Sequence, residues 1–533
     1  MKSVLTRKLI NQSSKNFVLL AATLIAPLTH AVNPEDVDVD NNGLIEISTI
    51  EELNQIRYNL IGSSYIDIDG NSLDAGCPVS GCIGYELVKD LDFDPDGSGL
   101  WSDKNPFWND GKGWEPVGSK LDPFAAHFNG NGHTINKLYI DRTDNDFVGL
   151  FGVVSSQPDQ DVKISDLVLR EALIYGNNYV GGIVGSIDHA YEGRQVVLSD
   201  SRVNGVISGE KYVGGLVGYV NAENCAIVKL HGNTSNIMVV GADNTGGLVG
   251  YVGLDTGFSD SDSTYVSLLG NSINGQVAGR SKVGGLVGYL LTSNGGSIDF
   301  SVYARVDSNR TEVTVTGESK VGGLIGSAIG SGDNTGLYIA NSESNSMVIA
   351  TKDYVGGLIG ELDSDGYAYV RATRLSAKGY ASGKNAVGGL IGSATASYSV
   401  MEIYDSYAWT DVRGIQEVGG LIGFVEMGGS EVYLDIYRTY SIGRVKGQES
   451  VGGLVGDFSD GNGFFKKTIR VESSYWDITT SGIKVSATGY GYSSADLKCR
   501  TRNSDDGCNP SIYKGWDSDI WDFGSENDYP TLK

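Results

Sequence analysis

A chain of 533 residues, 40% of them apolar, is too long for one compact core and too apolar to stay disordered, so it holds several domains or one long array. With 75 Gly against only 10 Pro, neither collagen nor a Pro-rich linker protein fits, whereas repeated tight turns do. A formal net charge of −25 repels nucleic acid and anionic lipid and suits divalent cations.

The chain opens with Lys2, Arg7, Lys8 and Lys15, an apolar run from Phe17 to Leu28, and then Thr29, His30 and Ala31. That is the three-part layout of a secretory signal peptide over residues 1–31, with cleavage expected after Ala31. The run is too short for a spanning helix, and no later stretch reaches the roughly 18 to 20 apolar residues one requires. Loss of the four basic residues takes the charge from −25 to −29. The expected destination is the cell surface or the medium, with the periplasm left open.

Residues 32–140 are rich in Asp and Trp and read as an N-terminal cap. Asp38, Asp40 and Asn42, followed by Gly43, have the alternate spacing with which oxygen ligands wrap Ca²⁺. Position twelve is Thr49 in place of Glu, so Glu46 is the further ligand expected; the other reading is an acidic solvated turn. Ser48 or Thr49 with Glu51 and Glu52 starts a short helix expected over 49–60. Cys77 and Cys82 flank a short loop and read as a disulfide, with a metal site as the alternative. A second acidic loop offers Asp92, Asp94, Asp96 and Asp103 to Ca²⁺, weakened by Pro95 inside it.

From residue 141 to 472 one motif recurs. A variant, Val148 to Gly152, is followed by Val180 to Gly185, Val213 to Gly218, Thr245 to Gly250, Val283 to Gly288 and Val321 to Gly326. Val355 to Gly360, Val387 to Gly392, Val418 to Gly423 and Val451 to Gly456 complete the series. The first glycines are spaced by 33, 32, 38, 38, 34, 32, 31 and 33 residues, so insertions are confined to part of the unit. No 3.6-residue apolar period accompanies the motif, and the units read as strands and turns. The fold class is therefore all-β: a right-handed β-helix, or β-solenoid, of about ten repeats and on the order of 50 Å long at the usual strand spacing. Leu216, Leu248, Leu286, Leu324, Leu358, Leu390, Leu421 and Leu454 are the expected core ladder, and the paired glycines allow positive φ or close backbone approach.

Aromatic residues recur near the second strand of the unit: Tyr265, Tyr303, Tyr338, Tyr367, Tyr369, Tyr398, Tyr404, Tyr407, Trp409, Tyr433 and Tyr437. They either stack on sugar rings or a partner, or simply cover the outside of a β-rod. Residues 473–533 are non-repetitive and read as a C-terminal cap, with Cys499 and Cys508 as a second disulfide and Cys225 left over.

The repeated Val-Gly-Gly-Leu-Val-Gly and Val-Gly-Gly-Leu-Ile-Gly strings resemble the GLUG motif of bacterial secreted and cell-surface proteins. Asp40 to Ile47 is similar to the segment that often opens such chains, and His127 to Ile135 to the stretch before their first repeat, with Asn129 where they carry Asp. Tyr475-Trp476-Asp477 and Trp521 to Gly524 are similar to their closing segment. The resemblance covers nearly the whole exported chain. It implies a β-helical surface or secreted protein, often regarded as adhesive, and supplies no catalytic residues.

Among the later histidines, His127, His133, His189 and His231, none sits in His-Glu-x-x-His, and Gly-x-Ser-x-Gly and phosphate loops are absent from the sequence. The reading that follows is a Ca²⁺-stabilised scaffold or adhesin for a polysaccharide or cell-surface ligand, without nucleic acid and without catalysis. The alternative is a polysaccharide lyase or glycosidase, which paired carboxylates in a groove with a nearby Lys, Arg or metal would favour.

Overall fold

The computed structural model describes residues 37–63, 77–78, 80–94, 97, 107, 109–189, 191–255, 263–294, 301–429, 431–461, 467–498, 512–525 and 528–533. The signal segment, Asp96, Asp103, Cys499 and Cys508 lie outside the described residues.

Each repeat is one coil of a β-solenoid, and the motif is its sharpest corner. In the coil of Val180, the strand Asn178–Gly181 ends on the first half of the motif and Val184–His189 begins on the second. Gln195–Ser199 and Arg202–Ser208 then return the chain to the start. Every strand pairs in parallel with its counterpart one coil away, as Val180 does with Val213 and Val196 with Val228. The result is a nine-stranded sheet before the corner, a ten-stranded sheet after it, and a broad 25-stranded sheet that holds the third and fourth strands of every coil.

The motif residues divide the labour. The Val of most first strands, Thr245 in one coil, and the Leu or Ile at each corner point inward, and all eight leucines of the expected ladder are fully buried. The glycines serve close approach, not positive φ: a Cβ on Gly214 would lie 1.9 Å from the Val217 carbonyl oxygen, and one on Gly218 2.5 Å from the Val180 nitrogen. Left-handed backbone falls instead on the residue before the motif Val, as at Tyr179, Tyr212 and Lys282 with φ of 58°, 58° and 56°.

A second corner separates the third and fourth strands. Its left-handed residue is Asp200, Ser308, Asn341, Arg374, Asp405 or Arg438 in different coils. The next residue turns inward and is polar in most coils, which builds a buried ladder. The Ser201 N–H donates to Asn233 Oδ1 at 3.1 Å, the Asn233 N–H to Asn271 Oδ1 at 3.0 Å, and the Asn271 N–H to Asn309 Oδ1 at 2.9 Å. Each amide satisfies a corner N–H that the sheets leave unpaired.

Parallel stacking begins before the repeats. Leu44–Ile47 pairs with Gly84–Leu87, which pairs with His127–Asn129, which pairs with Val162–Ser165. The N-terminal region thus joins the broad sheet and shows no break near residue 140. The short helix is Ile50–Gln55, with Thr49 and Glu52 forming a reciprocal capping box, and a 3₁₀ turn, Ile56–Tyr58, follows. The Cys77–Cys82 disulfide is formed, and Cys225 is buried.

The C-terminal region does two things. Gly453 N–H donates to the Val485 carbonyl at 2.9 Å and Ala487 N–H to that of Val455 at 3.0 Å, which covers the last coil. Residues 512–525 and 528–533 then fold back along the flank of the broad sheet. There Tyr513, Trp516 and Trp521 pack on Tyr407, Tyr440 and Tyr475, which stand in register on three successive coils. Among the described residues no helix is long and apolar enough to cross a membrane.

Candidate functional site

The outer face of the third strand column carries the site, because a parallel stack turns residues about 33 apart in sequence into lateral neighbours. Arg305, Tyr338, Arg371, Glu402, Asp435 and Arg470 stand in register on six successive coils. Beside this file, Tyr265 pairs with Tyr303, Tyr303 with Gly336, and Gly336 with Tyr369. Gly336 is needed there, since a Cβ would lie 2.7 Å from both the Tyr303 and Tyr338 rings. Those rings are 6.4 Å apart and the Tyr338 and Tyr369 rings 5.8 Å, which forms an aromatic wall.

The carboxylates of the file are held in place. Asp435 accepts from the Tyr404 hydroxyl at 2.6 Å and lies 3.3 Å from the Arg470 guanidinium; Glu402 lies 3.0 Å from Arg371 and accepts from Tyr369. Desolvation, followed by the hydrogen bond to Asp435, pushes the Tyr404 hydroxyl well above its ordinary pKa, so it remains a donor. Arg305 pairs with Asp307, and Arg438 grips Asp405 through two bonds of 2.6 and 2.7 Å. Arg374, at the left-handed corner position, is exposed and has no ion-pair partner among the described residues.

Three adjoining cavities follow this surface. One of 440 Å³ is lined by Tyr265, Tyr303, Tyr338 and Arg371; one of 350 Å³ by Tyr404, Tyr437, Arg438 and Arg470. The third, of 630 Å³, opens against the folded-back segment at Asp519, Ile520 and Thr531. Arg374 lines all three. Seven of the eleven aromatics singled out in the sequence, Tyr265, Tyr303, Tyr338, Tyr369, Tyr404, Tyr433 and Tyr437, lie on this strand column. Tyr367 and Tyr398 occupy turns, and Tyr407 and Trp409 pack beneath the C-terminal segment. The arginines carry no signal in the sequence, because their register with the tyrosines depends on insertions of different length in each coil.

In the first acidic loop, Asp40, Glu46 and Glu86 bring ligand atoms within 4.8 Å of one another. Glu86 enters because its strand pairs Glu46 with Glu86, a link across 40 residues that spacing within the loop cannot reveal. Asp38 turns inward and accepts from the N–H groups of Asn42 and Gly43 at 2.9 and 2.8 Å. The Asn42 amide donates at 3.0 Å to both Asp40 and Glu86. Burial pushes the Glu86 carboxyl up, and the Asn42 bond partly offsets this. In the second loop the Lys137 ammonium lies 3.8 Å from Asp92 and 3.4 Å from Asp94, which supplies a positive charge from the protein itself.

A serine and a histidine also meet, Ser156 Oγ lying 3.0 Å from His189 Nδ1. His189 Nε2 lies 2.9 Å from the Arg194 carbonyl, which can only accept, so Nε2 carries the proton and the serine donates to Nδ1. Both side chains are fully buried and burial lowers the imidazole pKa, so the pair knits two coils together beyond the reach of a polymer.

No family model matches this chain. It is 35% identical over 106 residues to Halomucin of Haloquadratum walsbyi, a match covering 19% of this chain and 1% of that protein. It is 40% identical over 70 residues to a candidate Gly-rich membrane protein of Evansella cellulosilytica, covering 13% of this chain and 7% of the relative. The chain therefore spans a small fraction of these relatives. The solved structure of a candidate immunoglobulin A1 protease from Bacteroides ovatus aligns over 92% of both chains at 14% identity, with a TM-score of 0.27, which carries no inference for this protein.

Proposed function

We propose that this chain is an exported scaffold, secreted or held at the cell surface, that binds polysaccharide along the third strand column. The observation that carries this reading is the groove from Tyr265 to Arg470, where a wall of tyrosine rings faces carboxylates held by arginines. Flat rings suit the apolar faces of sugars, and the part-exposed guanidiniums of Arg305, Arg371 and Arg470 suit their hydroxyls. Repetition of similar groups along a rigid rod suits multivalent weak binding. Within this reading residues 1–31 are the signal peptide, the repeats belong with the GLUG motif, and Ca²⁺ stiffens the N-terminal loop through Asp40, Glu46 and Glu86.

A second reading, polysaccharide cleavage, rests on Glu402 and Asp435, which are lateral neighbours in the same groove with Arg371 and Arg470 beside them. Binding is favoured because Asp435 is fully buried and committed to tyrosine and arginine donors. The purified chain incubated with a polysaccharide panel separates the two. Retention without new reducing ends or unsaturated products, weakened by Tyr338→Ala, is the expected result. Released oligosaccharides would replace the scaffold with an enzyme, and no retention of any polymer would remove both.

A further inference from the structure

We infer that the polymer this groove accepts is an acidic glycan, whose ring-borne carboxylate or sulfate is read by Arg374. This rests on the glycan-binding reading and specifies its ligand class.

The inference starts from charge accounting within the groove. Arg305, Arg371, Arg438 and Arg470 each face a protein carboxylate: Asp307, Glu402, Asp405 and Asp435 respectively. Those pairs are locally neutral, their largely buried carboxylates holding the guanidiniums in place. Arg374 differs. Its backbone is fixed at the corner by a φ of 54° and a bond from its N–H to the Tyr404 carbonyl at 3.1 Å. The residue is exposed, without an ion pair among the described residues, at the junction of the three cavities.

Glu343 and Asp519 line the third cavity with it, but neither pairs with it, and the acid at an adjoining corner is engaged elsewhere. The corner residues of the neighbouring coils are Asn341 and Asp405, the first of which donates to Asp307 at 2.9 Å. Asp405 is bound on both oxygens by Arg438 and also accepts from the Trp521 indole at 3.0 Å. The one acid on an adjacent corner is therefore already claimed from two sides. In a chain of net charge −25, most of the surface would repel an acidic polymer, so a positively charged point within an aromatic groove selects where and in what register such a polymer settles. A planar fork of donors matches a carboxylate or sulfate.

The test uses the full chain, immobilised at physiological ionic strength, with two matched pairs of polymers. The first is polygalacturonate against its carboxyl-reduced product; the second is dextran sulfate against dextran. The expected result is retention of one acidic member at least about tenfold tighter than its neutral partner, the size of one charge-assisted hydrogen-bonded pair. Which pair shows the preference tells carboxylate from sulfate. Arg374→Gln should bring that preference to within about twofold. Lys211→Gln, an exposed charge on the first sheet of the coil, should leave the preference intact. Equal binding of acidic and neutral partners, or a preference that survives R374Q, would overturn the inference while the glycan-binding reading stands. Failure to retain any polymer, in this pair set or in the broader panel, would overturn that reading itself.

Discussion

The Trp521 indole N–H donates to Asp405 Oδ1 at 3.0 Å across 116 residues of sequence, tying the folded-back C-terminal segment to a corner of the solenoid. The same carboxylate holds Arg438, so one buried acid links the segment, the corner and the groove. Trp521→Phe keeps most of the ring and removes the donor. A hydrogen bond to a charged partner contributes about 1.5–3 kcal/mol, and that loss is expected in urea unfolding, with faster proteolysis of the tail. Unchanged cleavage of the tail would show that its aromatic packing alone holds it.

The amide ladder makes a position-specific prediction. Asn271 accepts from the Asn233 N–H at 3.0 Å and donates to the Leu230 carbonyl at 2.9 Å. Asn271→Ala orphans both, each at roughly 1–3 kcal/mol. Asn271→Ser should lose less, because Ser342 fills the same role for Asn309 at 3.1 Å. Hydrogen exchange should rise most in the two adjoining coils, because each coil touches only its neighbours.

Two glycine substitutions should behave differently. In Gly214→Ala the new methyl meets the Val217 carbonyl oxygen at 1.9 Å, and the corner must open at a cost of about 3 kcal/mol or more. Gly193→Ala meets nothing within 4 Å and bears only the strain of a φ of 67°, about 1 kcal/mol. Comparable melting temperatures for the two variants would refute close approach as the motif's requirement.

Burial, then Glu361 and Asp365, push the Asp363 carboxyl from 3.8 up to about 6. The folded state therefore holds this proton where the unfolded chain releases it. Below about pH 3.8 both states are protonated and no penalty exists; it grows through the interval and is complete above about pH 6. Asp363→Asn should match the parent chain at the acid end and exceed it above about pH 6 by on the order of 1–2 kcal/mol, discounted for partial exposure. A constant difference across pH would assign the effect elsewhere.

Millimolar Ca²⁺ added to chelated protein should raise the melting temperature, since it would relieve the repulsion among Asp40, Glu46 and Glu86. Glu86→Gln should remove most of that rise. An equal rise in the variant would place any bound ion away from this cluster.

The coil is legible in the order of the residues. A motif recurring every 31 to 38 residues can bury its Val and Leu only by stacking, so the array, its core ladder and its Gly-tight corner were legible from Val148 to Gly456. The helix start at Thr49 and the Cys77–Cys82 bridge were legible for the same reason, that short spacing dictates geometry, although the α-helix ends at Gln55, short of the expected Leu60. The lateral contacts between coils are not legible there. The file from Arg305 to Arg470, the arrival of Glu86 beside Glu46, the Asn233 to Asn309 ladder and the return of Trp521 to Asp405 all join residues dozens of positions apart. Their register depends on how much chain each coil loops out, a quantity that residue identity alone does not fix.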